Sequence, residues 1–297
     1  MSKLRIGYLY SLSPIHCGGE GDLGNILEIA REVHTNFPYV PASSLRGSVR
    51  DEVINAEPNG KVTADRLFGK ELDDRGQMGV HQVWFGDARL LWVPMRTMAI
   101  KGSSRDVFTW VSCHSLIRDH ALLSHRKFAA FPDHAVGDNS GTYLVADAEI
   151  TVQAMDDAQK QAVNLSGDWS ENLKGSVQST WDKNRIVLPD DDFQVLMEHS
   201  LWTQVRNKID ASGSAEVFWT DVCIPRDTIF YYPWGHTPLE KDALRKHDWD
   251  VLIDVINGLI QVGGQANVGR GWVQSWAVNS VIPLINLDAE NLEQVEV

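Results

Sequence analysis

Leu4, Ile6, Tyr8 and Tyr10 fall on alternate positions, so the chain opens on a strand with one buried face. The period then changes. Pro38 and Pro41 exclude a helix before Ala42; beyond them Leu45, Val49 and Val53 recur at helical spacing, with Ser43 or Ser44 as the cap. A short helix ending at Gly69 follows. Residues 82–95 read as strand, turn and strand, 106–112 as another strand and 113–128 as a basic helix. Residues 150–185 are polar, broken by Gly167 and Gly175, and read as an insertion. A helix over 192–199 precedes a long hairpin at 201–225, whose turn is Ala211-Ser212-Gly213-Ser214. The clearest helical period is Trp249, Leu252, Ile253, Ile256, Leu259 and Ile260. It predicts a helix over 247–261, stopped by Gly263-Gly264, with a closing strand at 272–278.

The order strand, helix, several strands, helix, strand fits an α+β fold, a ferredoxin-like β-α-β-β-α-β core with insertions. RNA-binding sheets of the RRM type share that topology. There are no repeats of 20–50 residues, and a fold alone does not give a function.

Composition narrows the classes. Across 297 residues, 43% are hydrophobic and 23% charged, ordinary for a globular protein with a real core. No run of eighteen apolar residues predicts a membrane span, and the opening MSKLRIGYLYSLSP lacks a signal-peptide cleavage pattern. Three distant cysteines, Cys17, Cys113 and Cys223, fit a reducing cytoplasm better than a disulfide framework. The formal charge of −13 argues at first against nucleic acid. The charge is segregated, however. Arg46, Arg50, Arg89, Arg96, Lys101, Arg105, Arg118, Arg126 and Lys127 lie in one half of the chain. The acidic excess lies in Asp156-Asp157, Asp190 to Asp192 and the tail from Asp288 to Glu296. Phosphates are held by local patches, so the segregation permits RNA binding.

Three stretches carry candidate chemistry. Arg46 and Arg50 lie one turn apart next to a helix N-terminus, where backbone N–H groups and positive charge together suit a phosphate. In GGQANVGRG, 263–271, glycines let a ligand backbone come close, and Asn267 and Arg270 can reach phosphate or ribose. That loop follows a helix and leads to a strand, the reverse of a dinucleotide or P-loop site. Arg96 and Lys101, after the paired strands, would give a positive lining along a single strand of RNA. His114, His120 and His125 share no helical face, which argues against a metal. Most tryptophans sit in core-like patterns; Trp181, Trp202 and Trp219 are freer to meet a base.

SPIHCGG, REVHTNFPYVPASSLRGSVRD, FGDARLLWVPMRTM with FTWVSC, DVCIPRDTIFY and VGGQANVGRGW together resemble one family, in its order and over nearly the whole chain. It is the RAMP-superfamily backbone subunit of type III-B CRISPR effectors, the Cmr complexes. The resemblance implies a single RAMP domain over 1–297 whose copies stack in a filament on guide RNA, beside other Cmr-type subunits. It implies an RRM-like palm that holds the RNA backbone and a hairpin thumb, here 201–225, that displaces a base. Base pairing then reads the target RNA. Arg46 matches the family's basic residue after the two serines, Ser43 and Ser44, which favours guide-RNA contact for this helix start, with Arg50 one turn on.

In the family the same subunit cuts target RNA, using a divalent metal (Mg or Mn) and an aspartate in the loop after the first strand. Counted back from Arg31-Glu32, that aspartate falls here on Ile26. Relative to the family's pattern, one residue is missing between Gly24 and Arg31. The nearest carboxylates are Asp22 and Glu28, of which Asp22 is the better candidate. His16 matches a family histidine. Asp221 matches a second acidic position, although Cys223 stands where an aromatic is expected. Two readings stand side by side: a subunit that only holds RNA, and a metal-dependent endoribonuclease using Asp22, His16 and Asp221. A third, a hydrolase with Cys17 as nucleophile and His16 or His34 as base, has no supporting motif.

Overall fold

The computed structural model describes residues 3–18, 25–70, 81–102, 107–165, 167, 169–209, 215–237 and 244–278. Strands β1 (Lys3–Ser11), β2 (Ile26–Leu27) and β3 (Tyr39–Val40) precede helices α1 (Ala42–Ala56) and α2 (Gly60–Phe68). Strands β4 (Val83–Phe85), β5 (Ala88–Gly102) and β6 (Phe108–Cys113) lead to α3 (His114–Leu123). Next come β7 (Val136–Gly137), β8 (Gly141–Val145), β9 (Ala148–Ala154), α4 (Asp157–Ala162), α5 (Val177–Trp181), β10 (Arg185–Leu188) and α6 (Asp190–Ser200). The chain closes with β11 (Trp202–Ile209), β12 (Ala215–Cys223), β13 (Ile229–His236), α7 (Lys246–Ile256), β14 (Leu259–Gln261) and β15 (Trp272–Ala277).

The main sheet runs β14-β15-β1-β13-β5-β6-β10-β7-β9-β8. Within it, β1 lies between β15 and β13, and β13 lies beside β5, every pair antiparallel. Alternation along the strands separates two cores, as a pleated sheet requires. Ile6, Tyr8 and Tyr10 of β1, with Ile229 and Tyr231 of β13, face one. Leu9, Phe230, Tyr232 and Trp234 face the other. This second core is roofed by Leu45, Val49 and Val53 of α1, Leu67 and Phe68 of α2, Phe193 and Leu196 of α6, and Leu252 and Ile256 of α7.

The first core is closed by the polar stretch 150–185, which buries Met155, Val163, Leu165, Trp169, Leu173 and Trp181 there. Burying one tryptophan removes roughly 150–250 Å² from water, about 4–6 kcal/mol before ordering entropy is subtracted. The stretch is therefore part of the folded body. Its end is pinned by Arg185, whose Nε and Nη2 donate to the two oxygens of Asp138 at 3.0 and 2.9 Å.

Three sequence expectations change. Helix α1 starts at Ala42 with Pro41 in the cap position and no side-chain cap from Ser43 or Ser44. Asp87 takes that role from outside the helix, its Oδ1 accepting from the Ala42 N–H at 2.7 Å. The basic helix stops at Leu123 rather than 128, because Ser124 folds back on the His120 carbonyl (Oγ–O 2.6 Å) and His125 turns left-handed. Helix α7 ends at Ile256, and Leu259 and Ile260 belong to β14, paired with Gln274 and Val273. Asn257 and Gly258, not Gly263-Gly264, end it; Asn257 also accepts from the Ala277 N–H at 2.9 Å.

In the first core His120 is 1% exposed, and its Nε2 meets the Tyr8 hydroxyl at 2.8 Å. Burial pushes its pKa down from 6.5 to about 3. The folded state thus keeps it neutral, and the unfolded chain takes up a proton first as pH falls. Stability from this group is complete above pH 6.5 and is lost between 6.5 and about 3, at up to about 1.4 kcal/mol per pH unit. His120→Gln, which does not titrate, should be less acid-sensitive by that slope in urea unfolding at stepped pH. Parallel curves would contradict the neutral, buried imidazole.

Candidate nucleic-acid interface

The opening loop is pinched at its feet. Ile15 and Ile224 exchange backbone hydrogen bonds at 2.9 Å, and the Cys17 carbonyl accepts from Ala30 at 2.7 Å. Beyond it, Asn25 accepts from the Thr220 N–H at 2.7 Å, and β2 pairs in parallel with β12, Ile26 beside Thr220 and Leu27 beside Asp221. The hairpin β11–β12 and β2 thus form a second, three-stranded sheet next to the loop. Ile26, where the count back from Arg31-Glu32 places the expected aspartate, lies one register step from Asp221. Asp22, and the hairpin turn at 211–214, lie outside the described residues.

The glycine loop packs backbone to backbone on the opening loop. Gly264 donates to the His16 carbonyl at 2.8 Å and Gly271 to that of Pro14 at 2.9 Å. Gly263 has φ +80°, and a Cβ there would lie 2.5 Å from the His16 oxygen. Gly271 has φ +85°, and a Cβ there would lie 2.1 Å from the Val262 oxygen. These two positions need glycine for close packing within the protein as well as for backbone conformation.

Arg270 turns inward from this loop. It is 3% exposed; Nη1 pairs with Asp221 Oδ2 at 2.9 Å and also bonds Gln265 Oε1, while Nη2 donates to Gln204 Oε1 at 2.7 Å. Its guanidinium lies over Trp202, 5.6 Å from the ring centroid. Asp221 is fully buried. Its Oδ2 also meets Arg206 Nη1 at 3.4 Å, and its Oδ1 accepts from Gln265 at 3.2 Å. The carboxylate is the counterion of two arginines, one of which, Arg206, remains partly exposed on the hairpin over Trp219. A cleft of about 250 Å³ opens here, lined by Pro14, Trp202, Gln204, Arg206, Gly269 and Arg270. Arg206, Gln204 and Gln265 escaped the sequence reading. The available signal was the alternating polar run of β11, Gln204, Arg206 and Lys208, opposite Asp221, Trp219 and Val217.

His16 is buried, and its Nδ1 lies 2.8 Å from the Val222 carbonyl, which makes Nδ1 the donor and leaves Nε2 as acceptor in the neutral ring. Ser44, in the first turn of α1, hydrogen-bonds the Cys17 thiol. This joins the helix start to the opening loop; Ser43 is exposed beside it. Arg46 donates to the Phe68 carbonyl and lies over the Phe68 ring, and Arg50 pairs with Asp65 at 3.0 Å. Both arginines therefore also tie α1 to α2. Asn267 is exposed on the short 3₁₀ turn Ala266–Val268. Arg96 and Lys101 are exposed on β5, where Arg96 pairs with Asp147 and Lys101 faces Thr142 of β8. They lie on a different strand pair from the loops, α1 and the hairpin.

The remaining chemistry is restricted. Cys17 is buried, and burial pushes its thiol up to about 12, so it supplies no thiolate near neutrality. Among the described residues, no three His, Cys, Asp or Glu side chains are grouped to hold a metal ion. Asp221, the buried carboxylate at the cleft, has its oxygens engaged by Arg270, Arg206 and Gln265, so this side chain is not open to a divalent ion.

The RAMP superfamily profile matches residues 8–274, and the chain belongs to that superfamily. It is 28% identical over 285 residues to the CRISPR system Cmr endoribonuclease Cmr4 of Pyrococcus furiosus, covering 90% of this chain and 92% of that protein. Its fold matches a chain of the type III-B Cmr-beta complex bound to cognate target RNA with TM-score 0.71 at 16% identity, covering 92% and 96% of the two chains. It matches oligomeric Cmr4 from Pyrococcus furiosus with TM-score 0.65 at 23% identity, covering 96% and 100%.

Proposed function

We propose that this chain is a multi-copy, RNA-holding backbone subunit of a type III-B CRISPR interference complex, working in the cytoplasm on guide RNA and its target duplex. One observation carries the reading. The start of α1, the opening loop, the glycine loop and the hairpin, four stretches far apart in sequence, meet at one end of β1. The strand order β15-β1-β13-β5, with α1 and α7 on one face, supports a ferredoxin-like, RRM-like palm for the RNA backbone. The hairpin, exposed at Val205 and Phe218, serves as the thumb. Three free buried cysteines suit a reducing compartment. Other Cmr-type subunits complete the assembly.

A second reading, cleavage of target RNA with Mg or Mn, is favoured by the endoribonuclease name of the Pyrococcus relative. With Asp221 engaged by arginines and Glu28 beside Arg31 at 3.8 Å, this reading keeps Asp22 as the cutting carboxylate. The test uses the complex assembled on guide RNA with labelled complementary RNA in Mg or Mn. Bound, intact target supports holding alone. Regular fragments that vanish in Asp22→Ala support cutting, and failure to assemble on guide RNA refutes both readings. Arg46→Ala with Arg50→Ala should weaken assembly and flatten its salt dependence by about 0.7 log units per log salt for each phosphate no longer neutralised. An unchanged slope would move the RNA path away from α1.

A further inference from the structure

On the α1–α7 side of the sheet, two clefts meet at Asp254. One, of about 310 Å³, lies between Arg5, Trp249, Asp250 and Asp254. The other, of about 370 Å³, has Val251, Val255 and Leu259 along it and Glu52, Glu57 and Asp254 around it. Glu52, Asp250 and Asp254 have no hydrogen-bond or ion-pair partner among the described residues. Asp250 and Asp254 stand one turn apart on one helix face, an arrangement that costs stability unless a cation answers it. Leu259 is 54% exposed in the same groove. Acid around apolar walls repels RNA phosphates and suits a basic, apolar protein segment.

The chain carries such a segment on its other side. Arg118 and Leu122 share a face of α3, and Lys127 and Phe128 follow; all four are exposed, Leu122 at 64% and Phe128 at 42%. Arg126 adds a charge with no carboxylate on it among the described residues, its guanidinium donating to the Asn164 and Gln161 carbonyls. Asp119 answers Arg118 only in part, since it also pairs with Arg89. The two surfaces lie on opposite faces of the sheet: His120 of α3 packs on Tyr8 and Tyr231, whereas α1 and α7 cover Leu9 and Phe230.

We propose that the α1–α7 groove receives the α3 end of a second copy of this chain. Arg118 and Lys127 meet Asp250, Asp254 and Glu52, and Leu122 and Phe128 lie against Val251, Val255 and Leu259. Such a contact joins different surfaces and does not close on itself, so it propagates a row of copies. The inference rests on the proposed function only in that guide RNA sets the copies in line.

The full-length protein would be examined by sedimentation, with and without guide RNA. Asp250→Lys with Asp254→Lys, and separately Arg118→Glu with Lys127→Glu, should each weaken copy-to-copy association at least tenfold. The chain carrying all four substitutions should recover it, and the unchanged melting temperature of these surface variants is the control. Association that ignores either pair overturns the contact. Failure of the fourfold variant to recover points to a different protein in the groove and also overturns it. So does loss of RNA affinity by the α3 variant where only single copies bind, because that would make α3 an RNA contact. Failure of the wild type to bind RNA would refute the proposed function alone, provided that RNA-free association still obeys the charge exchange.

Discussion

Asp221→Ala should destabilise the fold by about 3–5 kcal/mol, the cost of breaking a buried pair by removing one partner. The side chain of Arg270 is 4% exposed, and Asp221 is its only carboxylate partner among the described residues. Without it the guanidinium keeps Gln204 and Gln265 but is left with no countercharge. A typical domain is stable by only about 5–15 kcal/mol, so the effect would be large. Asp221→Asn should cost less, because an amide oxygen still accepts from the arginines. Arg270→Gln combined with Asp221→Asn should cost less than the sum of the two single changes, since neither charge is then left alone. Urea unfolding of wild type and these variants measures this. An Asp221→Ala protein as stable as wild type would show that the Arg206–Asp221–Arg270 group does not hold the hairpin to the glycine loop. The result also bears on function. Loss of RNA cleavage in an Asp221 variant would by itself say little about catalysis, because the same substitution loosens the cleft.

How far this was legible depended on whether the determining forces were local. The first strand and α1 were visible because periods of two and 3.6 residues report directly on one buried face, and the hairpin because two β-capable runs flank a turn signal. The C-terminus of α7 was not, because Leu259 and Ile260 continue the helical period by coincidence while being held by Gln274 and Val273 of β15. The α1 cap was missed for a similar reason: the serines are the right residues in the right place, yet Asp87, 45 residues away along the chain, reaches the free N–H. At the site, sequence picked out the glycine loop, His16, Asp221 and Arg270 as separate candidates. It could not show that Asp221 and Arg270 neutralise each other, nor that Arg206 is the partly exposed cation left facing the cleft. Those facts depend on side chains from three segments pointing at one another. The polar composition of 150–185 likewise concealed Trp169 and Trp181, which close a core.

Gly271→Ala should cost on the order of 4 kcal/mol, among the larger effects of a single substitution, and should disrupt RNA assembly with it. Two penalties combine. At φ +85° an L-residue carries about 1–2 kcal/mol of backbone strain, and the new Cβ would stand 2.1 Å from the Val262 carbonyl oxygen. That oxygen is backbone and cannot rotate away, so the loop must shift. The shift would pull on the hydrogen bonds from Gly271 to Pro14 and from Val262 to Gly271, both 2.9 Å, and would move Arg270 off Asp221. Gly269→Ala is the internal control. Its φ is nearly the same, +80°, but a Cβ there meets nothing within 4 Å, so only the strain of about 1–2 kcal/mol remains. The difference between the two variants isolates the close approach of the glycine loop to its own strand. If Gly271→Ala melts with Gly269→Ala, that approach is not what fixes the loop. If it melts far earlier and no longer holds guide RNA, while Gly269→Ala keeps both properties, the glycine at 271 is there to bring the two loops together, and RNA holding depends on their meeting.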